Sequence, residues 1–405
     1  MLEGWRHFGE KDTVPLSYVT QTGVKHVVAT METIKVGEPW PEDEVRAYRD
    51  HLNDHGFEWI VCEGLSVHES VKTHKGNWQS YVENYKTSLR SLGAAGIKVA
   101  TFNFMPVTAW TRTDFKYPLP NEVLTSRFQW AACVAFDLYI LNRPRARECY
   151  AAEDVKVAEE IFAAMDDTQK MQLANSIGLG APGIVDDQDV DVFLAKIEAY
   201  GDVSHLDLQD RLIEFLREVA PVAEECDVRI GFHPDDPPQP LFGLPRVIST
   251  AGDVRRILSE VDSDHVGITF CIGSYGSNSA NDTLKMAQEF APHIHYCHLR
   301  NVVIEEDNKS FVEVGHLVGR NNIVEIVNAL QSEEKRRQSE GRTDVEIPWR
   351  PDHGPLMFFE QDAANVGDIY PGYSLMGRYA GMSELRGVIA AVQAYTKTDK
   401  SGSFM

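Results

Sequence analysis

The strongest constraint on the fold is a repeated pattern, in which a short apolar run precedes an amphipathic segment of helical period. Seven such runs, rich in Val, Ile or Phe, have the length and composition of strands that are buried on both faces. Strands and helices that alternate about every 30–40 residues imply right-handed crossovers and a parallel sheet. The predicted strands are residues 24–29, 59–62, 97–102, 228–232, 266–270, 294–299 and 345–349.

The number of strands favours a closed barrel over an open sheet. We predict an α/β fold of the TIM type, a (β/α)8 barrel formed by a single domain over residues 1–405. The eighth strand is expected between Asn103 and Val228, within residues 133–141. A doubly wound sheet is the alternative, although no G-x-G-x-x-G or G-x-x-x-x-G-K-[ST] sequence opens any of the predicted helices.

Residues that can begin and end helices support the helical segments. Pro41 can occupy the first turn of a helix at residues 42–55, and Asn77 can cap a helix at residues 78–95. A third helix is predicted at residues 206–225, where apolar residues recur close to a helical period.

Residues 143–205 interrupt this rhythm. The stretch is acidic and is typical of short helices, such as residues 154–165, with a Gly/Pro turn at residues 178–183. We predict a helical insertion on one barrel loop. The polar tail at residues 396–405 is predicted to be loosely held.

The charge of the chain restricts its partners. The 405 residues include 39 Lys and Arg against 61 Asp and Glu, which gives a formal net charge of −22. Nucleic acids and anionic membrane surfaces both attract Lys and Arg, so neither partner is expected. An anionic substrate would therefore need local positive charge, from a metal or from a few arginines.

The sequence also predicts a cytoplasmic protein. No apolar run approaches the ~18 residues of a membrane span, and the first residues lack the basic-then-apolar order of a signal peptide. The six cysteines are scattered without a C-x-x-C pair, which is typical of reduced thiols.

Candidate metal ligands stand at the ends of four consecutive predicted strands. They are His233, Cys271, His298 and Asp352. The carboxyl ends of barrel strands meet at one mouth, where the chemistry of such folds takes place. Two imidazoles, a thiolate and a carboxylate suit a divalent transition metal, although they do not choose among manganese, iron and zinc. Each residue alone is more often structural, but their coincidence at successive strand ends favours a metal site.

Other polar residues lie near the same strand end. Arg300 and Asn301, just after His298, can face the mouth, and Arg300 could bind a substrate carboxylate through two parallel hydrogen bonds. A solvated surface arginine is the alternative. His293 and His295 form an H-x-H sequence, but alternation along a strand places them opposite His298, so we exclude them from the site.

At these residues the sequence resembles the mannonate dehydratase family, and the resemblance extends over nearly the whole chain. The segments that carry it are VGEPWPEDEV, SVHESVKTH, NFMPVTAWTRTD, HPDDPPQPLFGLPRVIST, CIGSYG, HLRN, RPDHG and PGYS. The resemblance implies a metal-dependent barrel of the xylose-isomerase-like superfamily. It implies loss of water from D-mannonate to give 2-dehydro-3-deoxy-D-gluconate in hexuronate catabolism. The implied cofactor is Mn²⁺ or Fe²⁺, held by His233, Cys271, His298 and Asp352.

The resemblance also implies an acid/base pair. The family's pair corresponds to His353, in RPDHG, and Tyr373, in PGYS. One side chain must remove the C2 proton and another must protonate the departing C3 hydroxyl, and a His and a Tyr hydroxyl can fill these roles. We favour Tyr373 as base and His353 as acid, although the sequence itself leaves the two roles open.

Other functions remain alternatives at this point. A metal-dependent sugar isomerase or epimerase would use the metal and base similarly without losing water. A non-enzymatic sugar-acid binding protein would need no proton-transfer pair. A barrel endonuclease is disfavoured by the net charge of −22. We expect D-mannonate as the small-molecule partner and a homodimer or higher homo-oligomer.

Overall fold

The centre of the fold is a parallel sheet that closes on itself. The structure is a computed structural model that describes residues 1–178, 190–362 and 369–398. Most of the turn predicted at 178–183 and the end of the tail at 396–405 lie outside the described residues. In chain order the strands are β1 (Leu2–Glu3), β2 (Trp5–Arg6), β3 (His26–Ala29), β4 (Glu58–Glu63), β5 (Val99–Phe102), β6 (Asp114–Pro118), β7 (Leu124–Phe128), β8 (Arg229–Phe232), β9 (Val266–Cys271), β10 (Ile294–His298), β11 (Asn301–Ile304), β12 (Phe311–Val314) and β13 (Pro348–Arg350).

The barrel closes through the first residues of the chain. β13 pairs in parallel with β1, and β2 pairs in parallel with β3. The N-terminal segment formed by β1, Gly4 and β2 therefore joins the two edge strands of the sheet, β13 and β3. The backbone N–H of Gly4 donates to the Trp349 carbonyl at 2.8 Å, and that of His7 donates to Val28 at 2.9 Å. With β1 and β2 counted as one position, the ring has the eight strands of a (β/α)8 barrel, and the open doubly wound sheet is excluded.

The burial of the barrel strands on both faces explains why the sequence shows continuous apolar runs. Every residue of β9 and of β10 is buried, because one face lies toward the barrel interior and the other lies under the helices. The seven predicted strands are confirmed, with ends that differ by a few residues.

Helices cover the outside of this barrel. Those predicted at 42–55, 78–95 and 206–225 are confirmed within one residue at each end. In chain order the helices are α1 (Leu16–Gln21), α2 (Glu42–Asp54), α3 (Glu69–Thr73), α4 (Trp78–Ala94), α5 (Trp130–Ala135), α6 (Ala152–Ala164), α7 (Asp167–Gly178), α8 (Val190–Glu198), α9 (His205–Glu225), α10 (Ala251–Val261), α11 (Ile272–Gly276), α12 (Thr283–Phe290), α13 (Ile323–Ser339) and α14 (Leu375–Thr398).

The place predicted for the eighth strand is wrong. Residues 133–141 lie in α5 and in a π-helical turn at Phe136–Ile140. Alanine favours helix, and α5 is buried along its whole length. A short buried helix and a buried strand show the same apolar run, so periodicity could not separate them. The N-terminal strand was missed because Gly4 divides it into two pairs of residues.

Three helices, α6 to α8, lie in the segment 143–205, between β5 and β8 in the chain. The helix predicted at 154–165 corresponds to α6. The Tyr200 hydroxyl, just beyond α8, donates to Glu69 Oε2 at 2.5 Å and so ties this segment to α3. The division of the chain into one barrel domain with a helical insertion stays a prediction.

A second sheet, which the sequence did not predict, is antiparallel and has the order β11-β12-β7-β6. Its strand β11 begins three residues after β10 ends, and β12 returns beside it from Phe311 to Val314. This hairpin brings β12 residues back toward the loops that follow the barrel strands. Within the described part of the chain, no helix is long and apolar enough to cross a membrane.

Candidate active site

Three of the predicted metal ligands lie together at the carboxyl ends of neighbouring strands. Cys271 and His298 end β9 and β10 and are register partners, and His233 follows β8 directly. One ligand atom from each of these side chains lies within 4.8 Å of the others. Parallel pairing of the strands therefore brings together residues that are far apart in sequence. Among the described residues, His293 and His295 are not part of this group.

Asp352 joins this group from the last strand. Its Oδ2 lies 3.6 Å from Cys271 Sγ and 3.7 Å from His298 Nδ1. Its φ of 75° is left-handed, a conformation that aspartate adopts more readily than most residues. Backbone strain of this kind concentrates at functional sites. We call His233, Cys271, His298 and Asp352 the ligand cluster.

Both histidines of the ligand cluster are oriented through their outer nitrogens. His233 Nδ1 lies 2.7 Å from the backbone carbonyl of Pro234, and His298 Nε2 lies 3.2 Å from Glu63 Oε1. The inner nitrogens, His233 Nε2 and His298 Nδ1, face each other at 3.3 Å. Two facing nitrogens beside a thiol and a carboxylate fit a divalent transition metal, and the outer contacts fix the imidazole rings for it.

Glu63, the last residue of β4, connects the ligand cluster to a buried arginine. Its oxygens accept hydrogen bonds from Arg350 Nε at 2.9 Å and Nη2 at 2.5 Å, while Arg350 Nη1 lies 2.7 Å from Asp352 Oδ1. Burial opposes ionisation of both carboxyls, but Arg350 and the other cations outweigh burial and hold the pKa of Glu63 and of Asp352 well below the usual range. Asp352 is therefore ionised at neutral pH, as a metal ligand must be.

Arg300 is buried behind the ligand cluster. Its side chain is 2% exposed and its three nitrogens pair with three carboxylates. The distances are 2.7 Å from Nη1 to Glu313, 2.6 Å from Nη2 to Asp236 and 2.9 Å from Nε to Asp352. Arg300 was expected to face the mouth and pair with a substrate carboxylate, but it does not line the cavity at the ligand cluster and pairs instead with protein carboxylates, among them Asp352 of the proposed ligands.

Asn301 also faces the protein. Its Nδ2 donates to the backbone carbonyls of His316 and Asn321 at 2.8 and 3.0 Å. Its Oδ1 accepts from the backbone N–H groups of Val302 and Asn321, both at 3.0 Å. These contacts fix the start of β11, and the predicted position of Asn301 toward a substrate is not found.

Carboxylates and guanidinium groups form a paired network around the ligand cluster. Arg112 lies beside Arg300 and pairs with Asp236 at 2.7 Å and with Glu313 at 2.6 Å. The carboxylates of this network belong to Glu63, Asp236, Glu313 and Asp352, and the guanidinium groups to Arg112, Arg300 and Arg350. Charges removed from water need partners, and these carboxylates and guanidinium groups supply them to one another.

His353, next to Asp352, is held by a carboxylate from the second sheet. Its Nδ1 lies 2.9 Å from each carboxylate oxygen of Glu313. Its ring packs against Trp110, with the ring centroids 4.5 Å apart. Burial opposes ionisation of Glu313, but Arg300, His353 and Arg112 lower the pKa of this carboxyl to about 2. An ionised carboxylate at Nδ1 favours the tautomer that carries its proton there and leaves Nε2 as an acceptor.

Tyr373 lies beside His353, with the ring centroids 5.2 Å apart, and its ring also meets the edge of Phe8 at 4.7 Å. Gly372 has a φ of 78°, and a Cβ there would lie 3.2 Å from His353 Cγ. Glycine therefore lets this loop come close to the histidine. Burial raises the pKa of Tyr373 to about 12, so its hydroxyl keeps its proton at neutral pH.

A single cavity is bordered by His233, His298, Asp352, His353 and Tyr373. The structure therefore brings most of the predicted site residues to one place. Cys271 does not line this cavity but contacts Asp352, which does.

The charged residues that support the site were not predicted from the sequence. Signals existed for two of them, because Asp236 and Arg112 lie in the segments HPDDPPQP and NFMPVTAWTRTD. Glu63 also gave a signal, as a charged residue that ends an apolar run. Glu313 gave none, because it belongs to the second sheet, whose strands were not predicted.

Comparison with known proteins identifies the family of this chain. The model of the D-mannonate dehydratase (UxuA) family matches residues 1–399. The mannonate dehydratase of Saccharophagus degradans is 44% identical over 393 residues, which cover 97% of this chain and 98% of that protein. Mannonate dehydratase 2 of Agrobacterium fabrum is 41% identical over 403 residues, which cover 100% of both chains.

A solved structure agrees with these relatives. The crystal structure of mannonate dehydratase from Streptococcus suis serotype 2 matches with a TM-score of 0.75 and 30% identity, over 98% of this chain and 95% of that chain. Sequence and fold thus match the same group of enzymes over almost the whole length of the chain. On this evidence the chain belongs to the mannonate dehydratase family of hydro-lyases.

Proposed function

We propose that this protein catalyses the metal-dependent dehydration of D-mannonate to 2-dehydro-3-deoxy-D-gluconate, as a step of glucuronate and hexuronate catabolism. One observation carries the proposal: His353, whose Nδ1 contacts Glu313, lines one cavity with three residues of the ligand cluster, in a chain of the mannonate dehydratase family. A Lewis acid and an oriented imidazole at one cavity are what the loss of water beside a carboxylate requires.

The proposed cofactor is Mn²⁺ or Fe²⁺, held by His233, Cys271, His298 and Asp352. A donor set of nitrogen, sulfur and oxygen suits a transition metal better than Mg²⁺ or Ca²⁺, which prefer oxygen ligands alone. When bound, the ion would act as a Lewis acid on the carboxylate end of the substrate, which makes the C2 proton easier to remove.

The proposed proton transfers use His353 and Tyr373. The reaction removes the C2 proton and the C3 hydroxyl, and the product is completed when C3 gains a proton and C2 becomes a ketone. We assign proton removal from C2 to His353, because Glu313 accepts a hydrogen bond from Nδ1 and the lone pair of Nε2 can then accept the proton. Among the described residues, the nearest carboxylate atom to Nε2, Asp352 Oδ1, lies 3.6 Å away. Tyr373, a neighbouring phenol that is protonated at neutral pH, donates to the departing hydroxyl.

This assignment reverses the roles that we favoured from the sequence. The reason is Glu313, whose contact with His353 Nδ1 resembles the carboxylate–imidazole part of a catalytic triad. The sequence offered no way to place a carboxylate at that nitrogen.

A product assay tests the proposed function. Purified protein is incubated with D-mannonate and a panel of divalent metals, and the product is identified by mass and by NMR. We expect a 2-keto-3-deoxy acid 18 mass units lighter than the substrate, because one water is lost. Activity should disappear with a chelator and return with Mn²⁺ or Fe²⁺. An isomeric product of unchanged mass, or binding without turnover, would contradict the proposal.

A cytoplasmic location is also proposed, because all six cysteines are free thiols, as expected in a reducing compartment. The homodimer or higher homo-oligomer stays a prediction, which light scattering of the purified protein can check.

A further inference from the structure

A cationic side chain in the cavity at the ligand cluster could bind the substrate carboxylate together with the proposed metal. With a net charge of −22 the protein repels an anion at long range, so positive charge inside the cavity must compensate. Among the described residues, three Lys and Arg side chains line this cavity, namely Arg6, Lys35 and Arg350.

Two of these cations are poorly suited to the role. All three nitrogens of Arg350 are paired with the carboxylates of Glu63 and Asp352. Lys35 is exposed at the rim, where water and salt screen its charge. Arg300, the residue first expected to bind the substrate, is engaged with three carboxylates and is not among the cavity-lining residues.

Arg6 combines burial with unused hydrogen-bonding capacity. Its side chain is 6% exposed. In the described structure, Nη1 donates a hydrogen bond to the His7 carbonyl at 3.1 Å. The Glu32 Oε1 atom lies 4.0 Å from Nη2, beyond hydrogen-bond distance. A largely buried guanidinium that keeps unpaired donors gains from an anion placed against it.

The closure of the barrel places Arg6 beside the proposed proton-transfer pair. Arg6 ends β2, the strand through which the ring closes, and pairs in register with Val28 of β3. Its guanidinium carbon lies 4.4 Å from the centroid of the Phe8 ring, and Phe8 packs against Tyr373. Arg6 therefore borders the cavity on the side of Tyr373.

We propose that Arg6 binds the carboxylate of the sugar acid. The inference rests on the proposed function and names the residue that recognises the acid group. The planar guanidinium offers two parallel hydrogen bonds to a carboxylate, which an exposed lysine cannot match.

The test compares Arg6→Met with Lys35→Met, because each change removes one positive charge from the same cavity and leaves an unbranched side chain. Binding of D-mannonate to the Mn²⁺-loaded protein is measured by titration calorimetry in a His353→Asn background, so that turnover does not interfere. We expect Arg6→Met to weaken binding roughly 10- to 100-fold, the range for a hydrogen bond to a charged group. Lys35→Met should weaken it less than about threefold, because its charge is screened.

A neutral ligand separates recognition of charge from recognition of hydroxyl groups. Mannonamide, the carboxamide of the same acid, should bind wild-type protein and Arg6→Met with similar affinity. Unchanged mannonate binding in Arg6→Met would overturn the inference. So would an equal loss of affinity for mannonate and mannonamide, because Arg6 would then hold hydroxyl groups.

Two controls keep the result interpretable. Metal content and melting temperature establish that each variant is folded and loaded. If Arg6→Met does not fold, Arg6→Lys is used instead. The ratio of its affinities for mannonate and mannonamide should then lie between the wild-type ratio and a ratio of one. The binding test does not depend on turnover. If the wild-type protein binds mannonate but forms no product, the proposed function is contradicted, while the binding test of Arg6 can still be made.

Discussion

Nδ1 of His353 lies 2.9 Å from both carboxylate oxygens of Glu313. The two residues come from different sheets, because His353 follows the barrel strand β13 while Glu313 lies in β12 of the antiparallel sheet. Arg112 and Arg300 pair with the same carboxylate from its other side. The imidazole is thus oriented by a carboxylate that two buried arginines hold in its ionised form.

Replacing Glu313 tests this orientation. We expect Glu313→Gln to lower kcat by roughly 10²-fold, the lower end of the range for general acid–base catalysis, because a neutral amide no longer stabilises the protonated imidazole. Metal content should be retained, since Glu313 is not in the ligand cluster. The matched control is Glu305→Gln, which breaks an ion pair with Arg127 beyond β11 in the same sheet. Equal kcat values for the two variants would contradict the role of Glu313.

Conservative substitutions can test the proposed proton transfers by His353 and Tyr373 independently of metal binding. His353→Asn and Tyr373→Phe should keep metal content and mannonate affinity while kcat falls by about 10²–10⁴, as expected for a lost general base or acid. Exchange of the C2 proton with deuterated solvent, followed by NMR, assigns the roles if the wild type shows exchange. The exchange should stop in His353→Asn and can persist in Tyr373→Phe. The opposite pattern would restore the assignment that we first favoured from the sequence.

The ligand cluster can be tested with a matched pair of buried cysteines. Cys271 ends β9 within the cluster, whereas Cys297 precedes the ligand His298 and its Sγ contacts the carbonyl of Phe270. Cys271→Ala should lose most of its bound Mn²⁺ or Fe²⁺ in elemental analysis, because an incomplete set of ligands cannot hold the ion. Cys297→Ala should keep its metal. Full occupancy in Cys271→Ala would remove this thiol from the proposed ligands.

Acid stability should depend on Asp344, which lies outside the active site. Its carboxylate contacts Arg229 at 3.0 Å and Arg342 at 2.6 Å, and so connects β8 to the segment before β13. Burial opposes its ionisation, but hydrogen bonding from Arg342 and the charges of Arg229 and Arg337 lower the pKa of Asp344 to about 2. This depressed pKa stabilises the fold above the unfolded-state value of about 3.9, and the effect is lost as pH falls toward 2.

The corresponding variant is Asp344→Asn. We expect its free energy of unfolding at pH 7 to be about 2 kcal/mol lower than that of the wild type, and the difference to shrink between about pH 4 and pH 2. Urea unfolding at several pH values measures this. The control is Asp264→Asn at an exposed position. A difference that stays constant with pH would show that ionisation of Asp344 does not contribute.

The grouping of the proposed metal ligands could be predicted because each signal is local. His233, Cys271 and His298 each stand at the end of an apolar run, and parallel strands in a barrel bring such ends together whatever their distance in sequence. Knowing the fold class was therefore enough to place these side chains near one another.

The partners of Arg300 and Asn301 could not be predicted in the same way. Both residues follow a ligand strand, as expected, yet Arg300 pairs with Asp236, Glu313 and Asp352, and Asn301 binds backbone groups. Position along a strand indicates where the Cα atom of a residue lies. It does not indicate which distant groups the side chain meets.

The sequence by itself determined the alternation of strands and helices, the barrel class and the strand ends that carry the ligand cluster. Only the tertiary structure decided that Leu2–Glu3 and Trp5–Arg6 close the barrel, that Glu313 reaches His353, and that Arg6 rather than Arg300 faces the cavity with donors to spare. The physical reason is the range of the interactions. Helix and strand periodicity arise between residues close in the chain, whereas ring closure and buried charge pairing depend on packing between segments far apart in the chain.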